Sequence, residues 1–394
     1  MTGSIVFDVL LVLMLLGYTV YGFSQGFALS LSGIVGVIVG AVAAFFAIPL
    51  VAGWVTTSAF RLPVILIVVV VLIGGGQAVG AAIGRRIRRR VDKTRLRVID
   101  RVLGAAVTLV VAAIVTSMLA LGIGSLGVPF VSQAISSSTV LTTIDRITPD
   151  PVKELEARVR SLVAQDGLPL LFEAQGTGAP LAIPDAGSGT AAQQVAAKSV
   201  VKITGNAYQC GQNQSGSGFI SSAGRIVTNA HVVAGVSEPV VLAPGGGTWT
   251  GRVVYFDSSQ DLAVIAVNGL PTPPLKLGPN LDAGATAVFD GYPLGGPFLS
   301  APAAVQSRAS VNVPDIYGAN PSPRAVYYLA ADVQEGNSGG PVLDASGLVA
   351  GLIFARSATT NHLGFAMTTD ELKPVIARAP DLSAAVSSGH CIRG

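Results

Sequence analysis

The chain alternates between two textures. Residues 9–60 contain no Asp, Glu, Lys or Arg, residues 62–84 repeat that feature after a single arginine, and residues 102–144 form a further uncharged run. A membrane crossing needs about 20 apolar residues, so the first run holds two helices, at 5–22 and 27–49, with the polar Ser24-Gln25-Gly26 step between them. The second run holds one helix and the third holds another, ending near Leu126. Four spans are therefore predicted. Uncharged stretches of this length exceed what a buried core helix needs and continue past the h-region of a cleaved signal peptide. Beyond residue 130 the period changes. Val152, Leu155, Val159, Leu162 and Val163 share one helical face behind Pro149-Asp150-Pro151, and residues 176–192, rich in Gly, Ala, Pro, Ser and Thr, form an aperiodic tether. From Ser199 onward, β-rich runs recur about every ten residues with turn residues between them. They lie at 200–204, 218–220, 225–228, 240–242, 248–255, 262–267, 286–291, 305–313, 325–331, 340–344 and 348–354.

The expected fold class is multidomain. An all-α, four-helix transmembrane domain covers 1–130, a short amphipathic helix and flexible linker cover 131–192, and an all-β domain of two small barrels covers 193–394. Only 12% of residues are charged and 50% are hydrophobic, against roughly 25% charged in ordinary soluble domains, which excludes disorder. A net charge of +3 with 6% aromatics gives no nucleic-acid partner. The placement of charge says more than its sum. Arg85, Arg86, Arg88, Arg89, Arg90, Lys93, Arg95, Arg97 and Arg101 crowd the segment between spans three and four, with Asp92 and Asp100 as its only acids. Lys and Arg resist translocation, so this loop is expected in the cytoplasm, where anionic lipid headgroups of the bilayer can also meet it. Everything after the fourth span then lies on the extracytoplasmic, periplasmic side of the cytoplasmic membrane. Cys210 and Cys391, the two cysteines, would be in an oxidising compartment where a disulfide between them persists, worth about 5 kcal/mol in the loop-entropy picture. Two free buried thiols are the alternative.

Gly336-Asn337-Ser338-Gly339-Gly340-Pro341 is the most informative hexapeptide. A serine hydroxyl is a poor nucleophile near neutral pH and needs exposure, a base and donors for the oxyanion. Glycines free of Cβ atoms let the Gly336 and Ser338 amides turn toward one point. His231, directly after an apolar run, is the candidate base, and His362 and His390 sit in polar, solvated contexts. Asp261 leads a buried strand, where a charge persists only if partnered, and is the candidate orienting carboxylate. Asp257, four residues earlier, is its competitor and fits a turn.

Ordered along the chain, Gly216-Ser217-Gly218-Phe219, Thr228-Asn229-Ala230-His231, Asp261-Leu262-Ala263-Val264, the Ser338 hexapeptide and Gly364-Phe365-Ala366 resemble the chymotrypsin-fold serine proteases of the HtrA-type branch. The resemblance covers residues 199–375. It implies an endopeptidase without metal or cofactor, with His231 as general base, Asp261 fixing its tautomer, Ser338 as nucleophile and the Gly336 and Ser338 amides as oxyanion hole. The chain after Lys373 is too short for the PDZ module of HtrA relatives. Asp332, six residues before Ser338, stands where trypsin-like enzymes place the acid of the primary specificity pocket, which implies a basic P1 residue. Asp8 and the Tyr21-Gly22-Phe23-Ser24-Gln25-Gly26-Phe27 turn resemble the colicin V production (CvpA) family of four-span proteins. The combination resembles the actinobacterial membrane-anchored acid-resistance serine proteases, which implies cell-envelope protein substrates, peptidoglycan hydrolases among them, under acid or oxidative stress. Two rivals are a catalytically silent peptide-binding scaffold and a membrane transporter or assembly factor using Asp8.

Overall fold

The computed structural model describes residues 2–54, 58–94, 96–124, 135, 138–149, 151–153, 155, 168–171, 182–185, 189–207, 212–244 and 247–392. The chain divides into two compact units, Met1–Leu119 with Ser138–Ile144, and Ala120–Ser137 with Asp145–Gly394.

The first unit is helical. Its long helices are α1 (Thr2–Gln25), α2 (Phe27–Trp54), α3 (Ser58–Val91) and α4 (Arg97–Gly124), and all four are long and apolar enough to cross a membrane. Gly26, at φ +76°, is the whole of the break between α1 and α2. The basic run expected as a loop belongs instead to α3. Arginine is a good helix former, so Arg85–Arg90 continue the apolar helix for its last turns, and the chain breaks only after Val91.

Small residues decide how α2 meets α3. A Cβ on Gly36 would lie 2.2 Å from the Gly76 carbonyl oxygen, and one on Gly80 would lie 2.1 Å from that of Ser32. Backbones this close replace the hydrophobic drive that lipid cannot supply. Two carboxylates then cap helices. Asp100 Oδ1 accepts the Ala28 amide, 3.0 Å away, at the start of α2. Asp8 accepts the Ser138 hydroxyl and the Thr139 amide, at 3.0 Å for the latter, opening a helix at Thr139–Ile147. The ionisable handle that a transporter reading would use is thus engaged as a helix cap.

The second unit is a pair of β sheets. One, in the order β6-β5-β2-β3-β4-β8-β7, is formed by β2 (Val200–Ala207), β3 (Gln212–Ser222), β4 (Arg225–Thr228), β5 (Val240–Leu242), β6 (Thr248–Thr250), β7 (Arg252–Asp257) and β8 (Leu262–Ala266). The other, in the order β1-β13-β12-β9-β10-β11-β14 and curled by a β13–β14 pairing, joins β1 (Leu170–Leu171) to β9 (Thr286–Gly291), β10 (Leu299–Val313), β11 (Ser322–Ala330), β12 (Pro341–Leu343), β13 (Val349–Ser357) and β14 (Leu363–Thr368). Each encloses its own apolar core, Val201, Ile203, Ile220 and Ile265 in the first and Phe289, Val305, Leu329 and Ile353 in the second. A third cluster joins them, with Phe219, Val264 and Leu262 packed among Leu352, Phe354 and Phe365.

Two pieces of regular structure flank the expected tether at 176–192. Leu170 and Leu171 pair in parallel with Arg356 and Ser357, and a helix at Ala191–Ala197 is closed by a capping box between Thr190 and Gln193. The amphipathic face from Leu155 to Val163 lies mostly outside the described residues.

Replacing Gly36 by valine should destabilise the detergent-solubilised protein by ~1–3 kcal/mol through overpacking. Gly33→Val should be neutral, because a Cβ there meets open space. Thermal unfolding of the two variants side by side checks this, and equal losses would refute the close-contact account.

Candidate active site

Strand β4 delivers Asn229 to the start of a four-residue helical turn, Ala230–Val233, which carries His231. The imidazole is 6% exposed, so its polar atoms need protein partners. Asp261 supplies them. Its Oδ1 accepts the His231 amide at 2.9 Å, and its two oxygens lie 3.0 and 2.8 Å from Nδ1. A proton on Nδ1 facing the carboxylate leaves Nε2 with its lone pair, as a general base requires. Nε2 is buried with no hydrogen-bond partner among the described residues. Imidazole and Ser338 hydroxyl are therefore not bonded here, and catalytic hydrogen bonds of this kind commonly tighten only around substrate.

Asp261 adopts φ +54°, a left-handed conformation that costs a non-glycine residue energy. Several bonds hold it there. The Asn229 side-chain amide donates to its carbonyl at 2.9 Å. Asp257, the competing acid, is a turn residue: its Oδ1 accepts the Ser259 and Gln260 amides, both at 2.9 Å.

The Ser338 loop is built on close approach. Gly336 and Gly339 have φ +84° and +82°, and a Cβ on either would meet backbone oxygen within 2.3 Å, that of Tyr292 and that of Ser217 respectively. Ser217 ties the loop to the first sheet. Its amide donates to the Ser338 carbonyl at 2.8 Å and its hydroxyl to the Gly336 carbonyl at 2.6 Å, while the hydroxyl accepts from the Tyr292 amide. With those carbonyls engaged, the Gly336 and Ser338 amides have no hydrogen-bond partner among the described residues. An oxyanion requires donors that are free in this way. No group of three or more metal-ligating side chains occurs among the described residues.

Asp332 lines a cavity of about 790 Å³ beside this loop, with Val333, Glu335, Arg356 and His362. Its carboxylate is 59% exposed and bonded to His362 Nδ1, whereas Val333 is buried. His390, expected to be merely solvated, stacks on Tyr317 at 4.0 Å. Cys391 is disulfide-bonded and 4% exposed, with its Sγ 3.0 Å from where a Cβ on Gly235 would stand. Cys210 lies outside the described residues.

Sequence reasoning passed over Asp290, at the end of β9 beside this loop. It is fully buried, and the Gly340 backbone packs against its carbonyl. Burial raises its pKa to about 6, and Ser300, opposite it on β10, offsets only part of that cost. A carboxyl within an apolar, alternating strand was the available signal.

A β double barrel with an Asp-His pair and a glycine-cradled serine, in a chain that also carries four apolar helices, defines a serine endopeptidase with a membrane-embedded N-terminus. The trypsin-like peptidase domain family matches residues 216–352, and the colicin V production protein family matches residues 7–149. Serine protease Rv3671c of Mycobacterium tuberculosis is 35% identical over 316 residues, spanning 78% of this chain and 79% of that protein. The crystal structure of the Rv3671c protease in its active form matches with 34% identity and a TM-score of 0.54, over 58% of this chain and all of that one. Putative serine protease HhoA of Synechocystis is 36% identical over 171 residues, covering 41% of each chain. The chain belongs to the Rv3671c family of trypsin-like serine proteases.

Protonated Asp290 is the form the core accommodates, so its contribution to stability is full below pH 3.8 and is lost as pH rises through about 6. Asp290→Asn should therefore stabilise the protease unit by ~1–3 kcal/mol at pH 8 and by little at pH 4. Denaturant unfolding at the two pH values checks this. A gain that is the same at both would mean the carboxyl is not the cause.

Proposed function

We propose that this protein cleaves cell-envelope proteins from the extracytoplasmic face of the cytoplasmic membrane, through an acyl-enzyme on Ser338. In this reading His231 takes the hydroxyl proton and returns it to the leaving amine. Asp261 holds the imidazole tautomer, and the Gly336 and Ser338 amides receive the developing oxyanion. The single observation that carries the chemistry is the double grip of Asp261 on the His231 amide and Nδ1. The cationic end of α3, with Arg88, Arg89 and Arg90 in its last turn, supports a cytoplasmic position for the α3–α4 connection, and hence an outward-facing protease. The substrate class, peptidoglycan hydrolases included, is what the resemblance to the actinobacterial membrane-anchored acid-resistance proteases implies.

A role under acid and oxidative stress completes the reading. Asp290 supports the acid half, because its buried carboxyl favours the fold as pH falls. A Cys210–Cys391 disulfide supports the oxidative half. The residues just before Cys391 brace the segment that follows His231, with Ser388 bonded to Val236 and its carbonyl accepting the Gly235 amide.

The test is covalent. A serine-reactive fluorophosphonate should label the parent in membranes, and Ser338→Ala should abolish labelling and lower turnover by roughly 10⁴- to 10⁶-fold. A folded parent that takes no label would leave only a peptide-binding role. Cys391→Ser should slow labelling by several fold without abolishing it. Equal labelling rates for parent and variant, with both folded, would remove the disulfide from the account.

A further inference from the structure

Arg324 is the largest fully buried side chain among the described residues, 1% exposed on strand β11. A guanidinium taken out of water is costly unless charge and hydrogen bonds compensate it. It forms no ion pair within 4 Å among the described residues, and its Nε has no hydrogen-bond partner. Its hydrogen bond runs to the other sheet: Nη2 donates to the Ser259 carbonyl at 2.5 Å. Ser259 lies two residues before Asp261, inside the turn that must hold Asp261 at positive φ. The guanidinium also stands over the Phe354 ring, 5.3 Å from its centroid, in the cluster joining the two cores.

We infer that Arg324 is a positioning residue for the His231–Asp261 pair, tying the Asp257–Asp261 turn to the second barrel. The assignment rests on the catalytic reading of His231, Asp261 and Ser338. Burial weakens the hold of the guanidinium on its proton, and the charges of Asp261, Glu371 and Asp257 oppose that effect. Asp257 is engaged by the Tyr255 hydroxyl and two backbone amides. Glu371 accepts the Ala325 amide at 2.8 Å. The bond to Ser259 is thus what links Arg324 to the turn, and without it Asp261 is freer to leave the left-handed conformation from which its carboxylate grips His231.

The readout is the rate of fluorophosphonate labelling in full-length protein, with thermal unfolding alongside. Arg324→Met, which cannot donate to Ser259, should label about tenfold more slowly while folded. Arg324→Gln and Arg324→Lys, which can still donate, should recover most of that rate, a rescue that a merely space-filling role would not give. A folded Arg324→Met that labels at the parental rate overturns the inference, as does a loss in Arg324→Gln and Arg324→Lys as large as in Arg324→Met. Should Arg324→Met not fold, a folded Arg324→Lys that labels about tenfold more slowly than the parent overturns it. A parent that takes no label would instead defeat the catalytic reading itself.

Discussion

The site depends on one carboxylate doing two jobs. Asp261 grips His231 by its backbone amide and by its ring nitrogen, so the position of the helical turn and the orientation of the imidazole are fixed by a single group. Both side chains are nearly excluded from water, where an ionic hydrogen bond is stronger and an unpaired charge is more costly than at the surface. The backbone of Asp261 is held in a conformation it would not choose. That strain is borne by the Asp257 turn, the Asn229 amide and the Ser259 carbonyl. Much of the junction between the two sheets can be read as scaffolding for this pair.

The helical unit obeys different physics. Among its helices, close backbone approach at Gly36, Gly76 and Gly80 sets the packing, because apolar side chains gain nothing from each other that lipid does not also offer. Two of its acids serve helix starts. Asp8 and Asp100 each accept backbone amides that would otherwise be unsatisfied in an apolar setting. A carboxylate fully committed to such bonds is a poor candidate for carrying ions or protons.

Much of this was legible in the chain. The four spans follow from missing charge alone, and the strands follow from short β-rich runs between turn residues. His231, Asp261 and the Ser338 loop stood out because an activated serine needs a base, a carboxylate and glycines in recognisable settings. What stayed hidden was set by tertiary context. The helix at Thr139–Ile147 was lost inside an uncharged run and owes its start to a carboxylate about 130 positions away. Strand β1 is two residues long and exists only because β13 offers an edge. Arg85–Arg90 looked like a loop because charge was weighed above helix propensity. Neither Asp290 nor Arg324 announces itself, since a lone charge at a strand position is normally a solvent-facing one.

The segment after His231 is completed from far downstream. Ser388 and Val236 are bonded across 152 positions of chain, and the Val386 amide reaches the Val253 carbonyl of β7. A ribosome making this protein would release the first barrel long before the strap that closes over it. The segment that follows His231 would thus be braced only once residue 388 has emerged, so a nascent chain carries its serine and its histidine for some time before that brace is in place.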